Sequence, residues 1–315
     1  MARRRKRHQK NNFGFGRSIT YAVKKLLSYV YGGGHHVTRA THGARFSIFI
    51  DFLSEYDVHD ARFITQEHAN YYAELIQRSV SEGRWSLAYG HNLISSFNVV
   101  MRHFRRNSDL KIKASDYLVQ RNYVRKKTPY VNDSSINQSI EILRSSGKER
   151  AAAVLGLVRC FGLRLREAIL MDLDRCWREY EKTGYITILE GTKGGRKSED
   201  RNLKVFESGV QALKNAILAR PNGSKNLIDR NETLKGFINS DVKNLRNVLK
   251  EYGILNIREI RTYFMIELFE NTTCLPAPVK NATTLKNEDL LKMGYERVSR
   301  AAGHNRLSVA RSYVG

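Results

Sequence analysis

A mainly α-helical protein of two domains, with one small antiparallel β-sheet in the second, is the fold class this sequence predicts. Three observations lead there. The chain has 315 residues and 36.3 kDa, enough for two hydrophobic cores. Apolar residues recur at offsets of three, four and seven along most of it, which is helical spacing, and only residues 185–206 are β-rich about a turn. Residues 121–133 lack any apolar period and carry Thr128-Pro129, a pair that disfavours helix. The expected division is therefore a mobile basic arm over 1–17, a helical domain over 18–120, a linker over 121–133 and a second domain over 134–315.

The arm joins Arg3-Arg4-Arg5-Lys6-Arg7 to Asn11-Asn12-Phe13-Gly14-Phe15-Gly16, too polar and glycine-rich to predict a packed element. Ile19, Ala22, Val23, Leu26, Leu27 and Val30 mark a first helix that Gly32-Gly33-Gly34 ends. Phe46, Phe49, Ile50 and Leu53 mark a second, with Thr38 or Thr41 as its expected cap. A third follows Thr65, burying Ala69, Tyr72, Ala73, Ile76 and Val80 before Gly83. The fourth, Leu87 to Phe104, ends in Arg102-His103-Phe104-Arg105-Arg106.

In the second domain, Ser134 or Ser135 is expected to cap a helix through Leu143. Ala151 to Val158 is apolar almost all round and predicts a buried central helix. Ile169 and Leu170 lie on another helix. Tyr185 to Leu189 and Leu203 to Phe206 predict a hairpin, and helices are expected over 210–218, 234–252 and 259–269.

Lys and Arg number 54 against 31 acidic residues, a formal charge of +23. That balance points to a polyanionic partner. No apolar run approaches the ~20 residues of a membrane span, and the N-terminus lacks a signal peptide's apolar core, so a cytoplasmic protein is expected. Cys160, Cys176 and Cys274 are odd in number and widely spaced, the pattern of reduced thiols. His35-His36 beside the glycines reads as a surface loop, and no metal site is expected.

The candidate chemistry lies in four stretches. Gly162-Leu163-Arg164-Leu165-Arg166-Glu167 places Arg164 and Glu167 three apart, on one face of a continuing helix. Glu190-Gly191-Thr192-Lys193-Gly194-Gly195-Arg196-Lys197 presents Lys193 in the hairpin turn, with Lys197 in reserve; it lacks the order of a Walker loop. Arg258-Glu259-Ile260-Arg261 supplies two more guanidiniums. Gly303-His304 precedes Tyr313 by nine residues. Strand breakage without water or metal needs a nucleophile, charge neutralisation on non-bridging oxygens and an acid for the departing oxygen. A solvent-facing Tyr313 is the expected nucleophile.

Taken in order, these stretches resemble the catalytic boxes of the tyrosine recombinase family, phage-integrase branch. The helical domain is similar to that family's SAM-like core-binding domain, followed by the α+β catalytic domain. The resemblance implies a site-specific recombinase that cuts and rejoins DNA through a 3′-phosphotyrosyl link on Tyr313, without metal, ATP or other cofactor. It implies Arg164 and Arg261 on the phosphate, Glu167 holding Arg164, Lys193 as general acid and His304 donating to the phosphate. Three departures stand out. Arg258 occupies the place of the usual His, and a guanidinium cannot serve as general base, which leaves that role to water or to no group. Residues 272–289 read as an inserted loop for DNA or partner contact. Nothing follows Gly315, so subunit contacts are expected from the arm, the first helix or the insert.

The partners implied are duplex attachment sites, a homo-oligomer (a tetramer on two sites) and accessory bending proteins, at the nucleoid. The prophage or mobile-element setting follows from the same resemblance. Arg125, Lys126 and Lys127 in the linker, with Arg105 and Arg106, are the expected phosphate contacts. The competing readings are a non-catalytic nucleic-acid-binding protein, a monomeric type IB topoisomerase, and a metal-dependent nuclease using Asp172 and Asp174, a pair that more simply caps the following turn.

Overall fold

The computed structural model describes residues 11–192, 201–282, 287–304 and 306–315. The chain forms two compact units, Met1–Asn122 and Tyr123–Gly315.

The first unit packs four helices: α1 (Ile19–Tyr31), α2 (His36–Ser54), α3 (Gln66–Ser81) and α4 (Leu87–Arg105). Its core is aromatic. Phe49 meets Phe97 edge-on at 4.8 Å between centroids and Tyr72 at the same distance, and Phe46, Phe49, Tyr72 and Phe97 are all buried. Burying each such ring stabilises the unit by roughly 1.5–3 kcal/mol over leaving it in water. Thr65 caps α3 by accepting from the His68 amide, while His68 Nδ1 accepts from the Thr65 amide.

Two expectations fail here. Helix α2 begins at His36, so Thr38 and Thr41 lie inside it and cap nothing. Tertiary packing carries those first turns: Tyr31 stacks on His42 at 9° between planes, and His42 Nδ1 lies 3.0 Å from Ser96 Oγ. Residues 11–17, read as part of the arm, are also packed on this unit. Asn12 is fully buried, its side chain donating to the carbonyls of Gly16 and Arg17 and accepting from the Ala61 amide. Phe13 and Phe15 both pack on Phe104. One amide side chain satisfies the backbone of a tight turn, and two aromatic rings anchor it, which offsets the polarity of the stretch.

The second unit is built round α6 (Glu149–Phe161), buried at Ala151 to Leu155, Leu157 and Val158. Against it pack α5 (Asp133–Ser145), α9 (Glu207–Ala219) and α12 (Ile257–Thr273). Asn132, not Ser134 or Ser135, caps α5 by accepting from the Ser135 amide. Helices α7 (Leu165–Leu170) and α8 (Leu173–Thr183) lead into strands β1 (Tyr185–Thr187) and β2 (Asn202–Lys204), antiparallel with Ile186 opposite Leu203. Asp172 caps α8 and Asp174 pairs with Arg220, which occupies both carboxylates structurally. Then follow α10 (Leu234–Phe237), a π turn over Ile238–Val242, and α11 (Lys243–Glu251). After α12 come α13 (Glu288–Ala301) and the short α14 (Arg311–Val314).

The stretch read as an insert has another use. Residues 272 and 273 finish α12, and the Val279 amide donates to the Val314 carbonyl at 2.7 Å. Ala277 is buried, and its amide donates to Glu270. The described part of this segment staples α14 to the body of its own unit. Among the described residues no helix is long and apolar enough to cross a membrane.

Candidate active site

Gly162 ends α6 at φ +59°, and an added Cβ there would lie 2.2 Å from the Phe264 ring. Only glycine fits this turn, and it delivers Arg164 to the start of α7 with Glu167 one turn on. The Arg164 amide donates to Glu167 Oε2 at 2.7 Å, and its Nη1 donates to Oε1 at 2.6 Å. Arg166 is exposed on the other side of the helix.

Glu167 is completely buried and holds more than Arg164. Arg201, 1% exposed in its side chain, grips it with Nη1 to Oε1 at 2.7 Å and Nη2 to Oε2 at 3.0 Å. Burial alone would raise the Glu167 carboxyl, but the hydrogen bonds and charge of Arg201, with the charge of Arg164, hold it down to about 2. Sequence reasoning missed Arg201. It stands on the edge of β2 with no motif about it.

The C-terminal end of α13 gathers the arginines. Arg201 Nε donates to the Ala301 carbonyl at 2.9 Å, and Arg164 and Arg261 each donate Nη2 to the Ala302 carbonyl at 2.8 Å. Unpaired carbonyls at a helix C-terminus attract cations, so this helix end sets the spacing of the guanidiniums. Arg261 is 3% exposed and also donates to the Gly162 carbonyl. Its burial, then the charges of Arg164 and Arg201, act against its own.

Tyr313 is 5% exposed rather than solvent-facing. Its hydroxyl accepts from Arg261 Nε and Nη2, both at 3.3 Å, and lies 3.4 Å from His304 Nε2. The Arg261 guanidinium also sits over the ring, 5.4 Å from its centroid. The expected exposure failed because α14 is held on its far side by the 274–282 segment and by Tyr295, whose hydroxyl donates to the Gly315 carbonyl at 2.9 Å. His304 Nε2 is also 3.3 Å from Arg164 Nη2. A guanidinium can only donate, so Nε2 is the acceptor in that pair.

Arg164, Arg258, Arg261, His304 and Tyr313 therefore line one cleft of about 510 Å³, with Arg246, Asn256 and Ser312. Arg258 and Arg246 are exposed, and neither side chain has a hydrogen bond or ion pair among the described residues. Lys193 and its reserve Lys197 lie outside the described residues. Of the expected phosphate contacts, Lys126, Lys127 and Arg106 are exposed. Arg105 turns inward to the Ile64 carbonyl, and Arg125 pairs with Glu259.

The family model for integrases matches residues 120–264. A comparison with curated protein sequences finds no match. Among solved structures, a lambda integrase dimer bound to a COC′ core site matches with TM-score 0.57 at 12% identity, covering 93% of this chain and 76% of that one. A lambda integrase tetramer bound to a Holliday junction gives the same figures. The XerA recombinase matches at TM-score 0.40 and 14% identity over 94% of both chains. The integrase match spans the Arg164 box and reaches through Arg261 in α12, and the lambda integrase structures share the fold, so the chain resembles tyrosine recombinases of the integrase type.

Proposed function

We propose that this protein is a site-specific DNA recombinase that cuts and rejoins duplex DNA through a 3′-phosphotyrosyl bond on Tyr313, without metal, ATP or other cofactor. The observation that carries the reading is the convergence of Arg261 and His304 on one buried phenolic oxygen, with Arg164 held in the same cleft.

Tyr313 Oη attacks the scissile phosphorus, forming the O–P bond while the bond to the 5′-oxygen breaks. Arg164 and Arg261 take the charge that grows on the non-bridging oxygens. Arg164 has Nε–H and one Nη1–H uncommitted among the described residues. Arg261 turns its two tyrosine-directed donors to the phosphate as the phenol moves in. Pre-aimed donors of this kind are worth about 10²–10³ in rate each.

The phenolic proton goes to His304 Nε2, whose lone pair already faces both Tyr313 and Arg164. Arg258 cannot take it, and the placing of His304 Nε2 beside the phenol supports this choice of base. Once protonated, His304 becomes the donor to the phosphate that the resemblance implies. Lys193, from the hairpin turn, supplies the proton to the departing 5′-oxygen. The reverse attack by a second strand's 5′-hydroxyl reseals the DNA, so the bond energy is kept.

Duplex attachment sites are the partner, engaged by a homo-oligomer; the similar lambda integrase structures are a dimer bound to a core site and a tetramer bound to a Holliday junction. The first unit serves as the core-binding domain. A plasmid carrying two attachment sites tests the reading: recombinant circles are expected in EDTA and without nucleotide. Relaxation of supercoils without exchange would instead indicate a topoisomerase, and binding without any strand breakage would indicate a non-catalytic protein.

A further inference from the structure

Arg125 was expected to meet DNA phosphate, yet its guanidinium is already engaged. Its side chain is 18% exposed, paired with Glu259, and Nε donates to the Lys127 carbonyl at 2.7 Å. Its neighbours Lys126 and Lys127 are exposed. The Arg125 amide donates to the Arg311 carbonyl at 2.9 Å, at the start of the helix that bears Tyr313. Glu259 stands on α12 between Arg258 and Arg261. One residue of the connecting segment is thus tied to both helices that meet at the phenolic oxygen.

The backing of α14 shows why this tie matters. Away from the cleft the four-residue helix is backed by the Val279 amide on the Val314 carbonyl, the Tyr295 hydroxyl on the Gly315 carbonyl, and the Arg311 guanidinium over the Tyr295 ring at 5.8 Å. All three hold it to α13 and to the 274–282 segment. Besides the Arg261 bonds to the Tyr313 hydroxyl, which turn to the phosphate in the reaction, Arg125 ties it to the α12 first turn, where Arg258 and Arg261 originate. Misplacing a reacting group by about 1 Å costs on the order of 100-fold in rate.

We infer that Arg125 is a positioning residue for strand cleavage, registering the Tyr313 helix against Arg261 through Glu259, and is not a phosphate contact. The inference rests on the recombinase reading above. The experiment measures single-turnover covalent adduct formation on a nicked attachment site, together with DNA affinity across a salt series, for full-length Arg125→Ala, Glu259→Gln, the double variant, and Lys126→Ala as the phosphate-contact control. The expected result is that Arg125→Ala and Glu259→Gln each slow adduct formation ten- to hundredfold, while affinity stays within about threefold and the salt slope matches wild type. The double variant is no slower than the worse single, because the two side chains form one connection. Lys126→Ala lowers the slope by about one instead. The inference is overturned if Arg125→Ala lowers the salt slope as Lys126→Ala does, if both single variants cleave at the wild-type rate, or if their effects multiply. Absence of adduct from the wild-type protein would sink the recombinase reading itself, a result distinct from all of these. Both variants keep the backbone bond from residue 125 to the Arg311 carbonyl, and Glu259→Gln keeps the Arg125 side chain too, so the pair can be judged even if Arg125→Ala melts early.

Discussion

Replacing Tyr313 with Phe is expected to abolish covalent protein–DNA adducts, to below about one part in 10⁴ of wild type, while affinity for the same duplex is kept. The ring stays in its pocket beside α12, and only the hydroxyl is lost. Removing the hydroxyl leaves the Arg261 Nε–H and one Nη2–H without their acceptor. Those donors face the cleft and can be hydrated, so the cost to stability is small. Denaturing gel shifts on a nicked substrate read the adduct, and native shifts read the binding. A variant that still forms adducts would move the nucleophile to another residue.

The second large effect is expected from the buried ion pair behind the cleft. Glu167→Ala strips Arg201 of its partner inside the core, and uncompensated buried charge costs about 3–5 kcal/mol. For a unit of this size that lowers the melting temperature by roughly 10 °C. Arg164 loses its orienting carboxylate in the same change. Replacing both members with apolar residues, Glu167→Leu with Arg201→Met, should recover much of the stability, because the Arg201 charge is no longer stranded. Cleavage should stay about 100-fold down, since Arg164 is still unheld. Thermal melts beside adduct assays separate the two contributions; cleavage that returned with the melting temperature would show that Arg164 needs no carboxylate.

The same carboxylate predicts acid sensitivity with a definite sign. Its folded value lies near 2, below that of the unfolded chain, so Glu167 stabilises the fold fully above about pH 4.5. That contribution is lost as pH falls from there toward 2. Unfolding measured across that window should lose less stability in the Leu/Met double variant than in wild type.

The long periodic helices were legible because burial leaves its spacing in the sequence: α1 runs over the expected 19–31, and α4 exceeds its expected end by one residue. The hairpin was readable from its β-branched run, and its strands pair as anticipated. Helix α13 carried a signal that went unread. Asn287 caps it and Leu291, Tyr295 and Val298 face inward, but its first residues fell within the 272–289 stretch expected as an inserted loop. Five of the expected catalytic side chains share one cleft because the Gly162 turn, the α13 terminus and α12 meet there.

What stayed hidden was the support. Arg201 is one of 54 basic residues, and nothing local distinguishes a cation that will be buried from one that will meet water. The pairing of Arg125 was hidden for the same reason, since its partner Glu259 lies 134 positions away. The burial of Tyr313 likewise depends on Val279 and Tyr295, distant in sequence or without motif.

The most direct measurement is to trap the wild-type protein on a suicide substrate, digest the adduct and locate the nucleotide by mass spectrometry. The account predicts a single modified peptide, carrying the 3′-phosphoryl nucleotide on Tyr313. A nucleotide on any other side chain, or strand breaks with no protein attached, would contradict it.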